Sequence, residues 1–548
     1  MSVIAKNPIM PGFYPDPSIC AVGGDYYLIN STFAYFPGLP ILHSRDLVHW
    51  EQIGNAMHRQ EQLPLKNAGH SQGLFAPTMR YHNGTYYVIC TNVSFGGNYI
   101  VKAENPAGPW SDPYYLQGAD GIDPSLFFDD DGKCYYIGTH PNPEGCRYDG
   151  DYFIWIQELD IGQMKLVGEV HNVWNGAMRG VHWPEGPHLY KKDGYYYIMH
   201  AEGGTGPEHA VTVCRSREIY GPYENNFCNP ILTHRHLGQA YPVKYVGHAD
   251  MVETPRGEWY MVMLAVRPLE GYTTMGRETF LAKVVWENGW PVVNPGVGIL
   301  TDEVEIDLPE WNPVGDGTYD TSANCVPGSS RIYDFTAMDR LGDEFLTLRN
   351  PGEDMYALDK EGLKLAFRSI TLKEKDSPSY VCVRQQHHSF RASAVFQTEN
   401  LTEGRRAGIA LVQSNEFHLR AEVGCGEEGL EAAVILCREG EDQLMGKHLI
   451  RQDAESLKED AVSGGVRLTM KVEGLTAFVE LETDWIVEGT GQSIPGTGLL
   501  CGNIDIRGLS TEVAGGFVGC TVGMYAVADR DSREQAACFR SFSYTAGH

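Results

Sequence analysis

A fivefold repeat in the first 300 residues constrains this chain more than any other feature. The repeated unit is Gly-x-(aromatic or Cys)-Tyr followed by apolar residues. It occurs as Gly24-Asp-Tyr-Tyr27, Gly84-Thr-Tyr-Tyr87, Gly132-Lys-Cys-Tyr135, Gly194-Tyr-Tyr-Tyr197 and Gly257-Glu-Trp-Tyr260. Successive glycines stand 60, 48, 62 and 63 residues apart. The residues ahead of them (Gly23, Asn83, Asp131, Asp193, Arg256) are mostly types that a tight hairpin turn takes, and each glycine leads into an apolar strand. Roughly 50–60 residues per unit is room for four antiparallel strands, and the segments lack the 3.6-residue period of helical repeats. Five such units closing on themselves make a five-bladed β-propeller, expected over residues 1–300.

A second segment recurs eight or nine residues ahead of each repeated glycine: Asp16-Pro-Ser-Ile, Ala76-Pro-Thr-Met, Asp123-Pro-Ser-Leu, Glu185-Gly-Pro-His and His248-Ala-Asp-Met. Equivalent positions of successive blades lie on one ring around a propeller axis. Three carboxylates and a histidine from distant parts of the chain are therefore expected around one central cavity. Taken singly, each has an ordinary explanation, because Asp before Pro commonly starts a turn. Taken in phase they do not, since gathering like charges is costly and function is the usual reason to keep them.

Composition narrows the class. The 548 residues carry a net charge of −28, which repels a polyanion and excludes nucleic acid as a partner. No run of 18 apolar residues and no basic-then-apolar N-terminal leader is present, so neither a membrane span nor an export signal is expected and the chain reads as cytoplasmic. In that setting the sequons at Asn30, Asn83, Asn92 and Asn400 carry little meaning. The 13 cysteines form no C-x-x-C pair and read as free structural thiols. Self-association into a homo-oligomer is left open by the sequence.

After residue 300 the texture changes. Residues 301–330 are turn-rich (Leu308-Pro-Glu-Trp-Asn-Pro313, Gly315-Asp-Gly317, Pro327-Gly-Ser-Ser330) and read as a connector. Beyond it come spaced strand candidates: Ala392–Phe396, Gly408–Val412, Ala432–Leu436, Val466–Met470 and Phe517–Val522. They suggest a β-sandwich over 331–548, giving an all-β chain of two domains. His387-His388 reads as a surface pair on a strand, and nothing in this half forms a catalytic constellation.

Two acids across a sugar-sized gap are what glycoside hydrolysis requires, one to protonate the leaving oxygen and one to deprotonate water or attack. Aromatics that stack on sugar faces are at hand in Phe13, Tyr14, Phe33, Tyr35, Phe36, Phe75 and Trp183, although core packing is the better explanation of any one of them. No nucleophile elbow, H-E-x-x-H or phosphate loop competes; Phe95-Gly-Gly97 and Ala201-Glu-Gly-Gly-Thr-Gly206 lack the lysine or helix that a nucleotide loop needs.

At these same residues the sequence resembles glycoside hydrolase family 43. The likeness runs through Asn7-Pro-Ile-Met-Pro-Gly-Phe-Tyr-Pro-Asp-Pro-Ser-Ile19, Asn30-Ser-Thr-Phe33, Tyr35-Phe-Pro-Gly38, His43-Ser-Arg-Asp-Leu-Val-His-Trp50, Gly121-Ile-Asp-Pro-Ser125, Pro184-Glu-Gly-Pro-His188, Gly247-His248 and Gly276-Arg-Glu-Thr-Phe280. The second half is similar to the β-sandwich appended in the β-xylosidase and α-L-arabinofuranosidase branch. The resemblance implies a five-bladed propeller that inverts anomeric configuration. It makes Asp16 the general base, Glu185 the general acid and Asp123 the carboxylate that orients the acid and adjusts its pKa. It also makes Arg277 the arginine that bonds the terminal sugar, Phe33 a pocket wall and His248 the axial histidine beside a calcium ion or water.

Two departures bear on substrate. Phe75-Ala76-Pro77 stands where many xylosidases of the branch carry Trp, and an ungapped match sets Val513 where their sandwich sends a Phe into the pocket. Both make the rim smaller, which suits a furanose or a branched acceptor. The expectation is thus an exo-acting, inverting glycosidase releasing terminal α-L-arabinofuranosyl or β-D-xylosyl units from small oligosaccharides, with the sandwich closing the pocket. The alternatives are a predominantly β-xylosidase activity, an endo-arabinanase and a non-catalytic carbohydrate-binding propeller.

Overall fold

The computed structural model describes residues 2–312, 330–451, 465–488 and 494–547. Five four-stranded antiparallel sheets form the N-terminal half, each in plain meander order. Their innermost strands are Ser18–Val22, Thr78–His82, Ile122–Phe128, Glu185–Lys192 and Lys244–Glu253. Each inner strand contacts the next and the fifth returns to the first, so the ring is closed. The repeated glycines sit in the hairpins between first and second strands. At Asn83-Gly84 and Asp193-Gly194 both residues have positive φ (49° and 84°, 50° and 75°), as a type I′ turn demands.

Closure joins the two ends of the propeller. Strand Val3–Lys6 pairs antiparallel with Glu303–Ile306, so the last strand tied to the propeller lies beyond residue 300. The Asn7 side chain donates to the carbonyls of Leu281 and Thr301 and accepts from the Leu281 amide, fixing the N-terminal run to the fifth blade. Below the mouth, buried Asp250 accepts from Ser18 Oγ (2.7 Å), Arg80 (2.8 and 3.0 Å) and Tyr190 Oη (2.6 Å). Burial alone would raise its pKa; Arg80 and these bonds pull it well below the ordinary carboxylate range. One carboxylate thereby ties together strands from four blades.

The second half is a sandwich made from one continuous sixteen-stranded sheet folded around an apolar core that includes Phe390, Phe396, Leu419, Val434, Leu468, Val479, Phe539 and Phe542. Four of the five strand candidates fall inside its strands. The fifth is corrected: Phe517–Val522 is not one strand, because the strand starts at Thr521. Gly515 and Gly516 ahead of it are both left-handed (φ 72° and 80°), which ends any extended run and lets residues 511–520 cross to the propeller. His387-His388 likewise lies after strand Ser379–Arg384 and is half-buried, with His387 Nδ1 3.2 Å from Tyr544 Oη. Most of the connector expected over 301–330 lies outside the described residues.

The two halves share structure. The outermost strand of the sandwich sheet is Tyr35–Phe36, lent by the first blade and paired with Leu346–Leu348. One apolar cluster runs across the joint, from Ile29, Phe33, Leu74 and Val88 to Leu348, Tyr380, Val412 and Tyr525. Removing this much apolar surface from water makes the joint part of the core, not a loose contact. Among the described residues no helix is long and apolar enough to cross a membrane.

Candidate active site

All five residues of the recurring phase (Asp16, Ala76, Asp123, Glu185 and His248) line one cavity at the mouth of the propeller. The backbone explains how. Asp16, Asp123 and His248 have left-handed φ values of 51°, 52° and 50°. The fourth blade puts its left-handed residue one position on, at Gly186 (φ 57°). In the third, fourth and fifth blades the pairing register shifts beside this position, at Ile122/Ser125, Glu185/His188 and Gly247/Ala249. A bulge re-aims a side chain, and here it turns each one off the blade and into the axis.

Neighbouring groups hold these turns in place. Asn30 Nδ2 donates to the carbonyls of Tyr14 and Pro15, the two residues before Asp16. Thr139 Oγ1 donates to Pro184 O, and Ser125 Oγ to Pro187 O, bracketing Glu185 (both 2.6 Å). Gly186 is required on steric grounds as well, since a Cβ there would stand 2.8 Å from the His248 ring.

The three carboxylates have unlike surroundings. Asp16, 5% exposed, accepts from Arg277 Nη1 (2.6 Å), Arg277 Nη2 (3.3 Å) and Ser31 Oγ (2.6 Å), and its Oδ1 lies 3.9 Å from His248 Nδ1. Burial pushes its pKa up, but Arg277, His248 and Ser31 together bring it below the ordinary value. Asp123, 7% exposed, accepts only a 3.2 Å bond from the Gly186 amide. Burial and the charge of Asp16, partly offset by His248, push it up to about 6. Glu185 is raised well above the ordinary glutamate value by burial and by the charges of Asp123 and Asp16.

Three phenylalanines form the apolar wall. Phe33 and Phe75 meet edge to face at 5.4 Å, and Phe517 of the sandwich stacks on Phe33 at 6.0 Å. The Arg277 guanidinium stands 5.7 Å from the Phe33 ring and 5.5 Å from that of Phe517, an arrangement that keeps its charge aimed at Asp16. Of the other aromatics, Phe13, Tyr14, Tyr35 and Phe36 are buried in the core beneath. Trp183 is wedged between Gly150 and Gly204, where a Cβ on either glycine would meet its ring within 3 Å.

Val513 is not part of this wall. It lies on the four-residue helix Thr511–Ala514, 49% exposed, and does not line the cavity. The ungapped match was four residues out, because the helix and the Gly515-Gly516 turn take up chain before the aromatic arrives. Thr205 and His209 also line the cavity and were not singled out. They belong to the glycine-rich run beginning at Gly203, which resembled nothing more than a loop. Ser31, the hydroxyl on Asp16, follows Asn30 directly and carried no signal of its own.

The axial metal expectation meets a poor donor set. Calcium takes six to eight oxygen ligands. The Asp16 oxygen nearest to His248 Nδ1 is already bonded to Arg277. Among the described residues, the one group of three ligand-bearing side chains with donor atoms within 4.8 Å of one another is His418, Cys437 and Asp442, far along the chain in the sandwich. The axis residues do not fit a calcium ion held by side chains.

Comparison with known proteins agrees with the geometry. The family model described as glycosyl hydrolases family 43 matches residues 5–291, and that of the beta xylosidase C-terminal Concanavalin A-like domain matches residues 333–545. A xylosidase/arabinosidase of Butyrivibrio fibrisolvens is 49% identical over 96% of each chain. A non-reducing end alpha-L-arabinofuranosidase of Bacteroides ovatus is 35% identical over 98% of this chain and 94% of its own. The crystal structure of a xylan beta-1,4-xylosidase from Bacillus halodurans superposes with a TM-score of 0.83 at 34% identity, covering 99% of this chain and 100% of its own. With a family model spanning the propeller and relatives matching from end to end, the chain belongs to glycosyl hydrolases family 43 and is a glycosidase.

Proposed function

We propose that the protein is an exo-acting, inverting glycosidase that releases terminal α-L-arabinofuranosyl and β-D-xylosyl units from the non-reducing ends of hemicellulose-derived oligosaccharides. One observation carries the reading: a single cavity holds Asp16 bonded by Arg277 and Ser31, which favour its ionised form, and Glu185 beside two carboxylates with no guanidinium bonded to it, which favours its protonated form. Ionised Asp16 takes a proton from a water as that water attacks the anomeric carbon. Glu185 gives its proton to the glycosidic oxygen as the bond to the leaving sugar breaks. Asp123 keeps the Glu185 proton in place through its charge, and Arg277 holds Asp16 in its ionised form while facing the sugar. The three-phenylalanine wall supplies the apolar face against which a pentose ring packs.

Both pentoses belong in the reading. The small rim that favoured an arabinofuranose loses one support, because Phe517 brings an aromatic ring to the place expected of Val513. Relatives named for each activity, and for both, support dual use. The twelve described cysteines are all unpaired, which supports a reducing cytoplasm as the working compartment.

The test is a hydrolysis panel: 4-nitrophenyl α-L-arabinofuranoside and β-D-xyloside, then arabino- and xylo-oligosaccharides and the parent polysaccharides. Turnover of both aryl pentosides and release of single pentoses are expected. Internal fragments from a polysaccharide would overturn exo-action.

A further inference from the structure

The cavity that holds the carboxylates does not end at Arg277 and Phe517. A second, smaller space adjoins it, with Thr205, Arg277 and Phe517 as the shared wall, and runs beneath the segment that carries Glu512. Its far side presents Tyr245 and Thr273. Glu512 is committed to building that side: its carboxylate accepts from the Thr273 amide (2.6 Å) and Thr273 Oγ1 (2.8 Å).

Polar atoms at the junction are left without partners. Thr205 Oγ1, His209 Nε2 and Arg277 Nε are buried and make no hydrogen bond among the described residues. His209 is 1% exposed, and its Nδ1 lies 2.8 Å from Tyr245 O. Nδ1 must therefore carry the hydrogen, which leaves Nε2 as a bare acceptor. Burial holds this ring neutral, with its pKa down to about 3. Native proteins pair nearly all their buried polar groups, so the orphaned Thr205 Oγ1 and Arg277 Nε in the shared wall point to a ligand that completes them. A hydroxyl and a guanidinium N–H together suit a hydroxyl group, which both donates and accepts.

The two pentoses differ in the feature such a pocket reads. In a β-D-xylopyranosyl unit C5 lies in the ring and bears no hydroxyl. In an α-L-arabinofuranosyl unit C5 is exocyclic and carries a primary hydroxyl. We propose that the side pocket behind Thr205 receives the exocyclic hydroxymethyl group of an arabinofuranosyl unit, with Thr205 bonding its hydroxyl, so that Thr205 sets the arabinofuranoside-to-xyloside preference. This rests on the reading above, in which both pentosides are substrates.

The experiment compares wild type, Thr205→Val and Thr205→Ser on three 4-nitrophenyl glycosides: the α-L-arabinofuranoside, its 5-deoxy analogue and the β-D-xyloside. Each loss is taken relative to wild type on the same compound, so that intrinsic reactivity cancels. Thr205→Val is expected to lower arabinofuranoside kcat/KM about five- to tenfold more than it lowers xyloside kcat/KM, the loss of one hydrogen bond. On the 5-deoxy analogue that excess should vanish, and Thr205→Ser should restore the wild-type ratio. Thr205→Ala gives the same readout should the valine variant not fold. Equal losses on the arabinofuranoside and its 5-deoxy analogue, or an unchanged ratio to xyloside, would overturn the assignment. Wild-type turnover of the two parent pentosides tests the underlying reading separately.

Discussion

Arg277 donates to both oxygens of Asp16, whereas Glu185 faces Asp123 and Asp16 with no guanidinium bonded to it. That difference in neighbours, within one cavity, is what separates a base from an acid. Asp16→Ala and Glu185→Ala should each lower kcat on an oligosaccharide by about 10²–10⁴-fold. A nitrophenolate leaves without much protonation, so on aryl pentosides Glu185→Ala should lose clearly less than Asp16→Ala; equal losses on both leaving groups would deny Glu185 the acid's role. The pH profile follows from the directions of the shifts. Activity should fall at low pH as Asp16 gains a proton and at high pH as Glu185 loses one, which a pH series of kcat/KM checks.

Stability should run against activity at Asp123. Its folded pKa of about 6 lies above an unfolded value near 3.9, so between those values the native state binds more protons. Stability contributed by this group is present at the acid side and is lost as pH rises from about 4 through about 6. Asp123→Asn should then melt higher than wild type at pH 7 while turning over far more slowly. A lower melting temperature for the amide would show that the carboxylate is stabilising after all. On the axis, chelation and dialysis should leave turnover unchanged, given the donor set around His248; a loss restored by calcium would put an ion there.

At the scale of elements, the segment 511–520 does what no blade does. It is pinned to the fifth blade by Thr511 N to Thr273 O (3.0 Å) and Cys520 N to Thr274 O (2.8 Å), and to the segment after the first blade by Phe517 N to Ser71 Oγ (2.8 Å). Gly519 fits because Met275 O would lie 2.2 Å from any Cβ there. These bonds set the Phe517 ring, itself 39% exposed, between Phe33 and the mouth. Phe517→Ala should raise KM for both pentosides about tenfold or more, the loss of an aromatic wall, with little change in melting temperature because the ring is not core. Val513→Phe should change neither the pentoside ratio nor KM. If Val513→Phe shifts the ratio and Phe517→Ala does not, the segment sits in another register.

Over the whole molecule, the legible parts were those written in local chemistry that repeats. Asn83-Gly84 and Asp193-Gly194 name their own turns, and five equivalent turns fix the phase that carries Asp16, Asp123, Glu185 and His248. What was illegible depends on chain meeting chain. Tyr35–Phe36 is too short to read as a strand and becomes one only beside Leu346–Leu348. Phe517 was hidden by an offset of four residues, since a turn of two left-handed glycines cannot be counted from a strand pattern. Thr205 and His209 line the cavity from a segment that carried no motif. With one strand and one apolar cluster common to both halves, the sandwich is joined to the propeller's core as well as lending Phe517 to the pocket.

The central claim is that Asp16 delivers water to the face of the sugar opposite the bond that Glu185 helps to break. Proton NMR of a xylo- or arabino-oligosaccharide during the first minutes of hydrolysis tests it directly, before mutarotation scrambles the product. Free pentose should appear first as the inverted anomer, α-xylose from a β-xyloside and β-arabinose from an α-arabinofuranoside. First appearance of the retained anomer would contradict it, because it would require a carboxylate to attack the sugar where this account places a water.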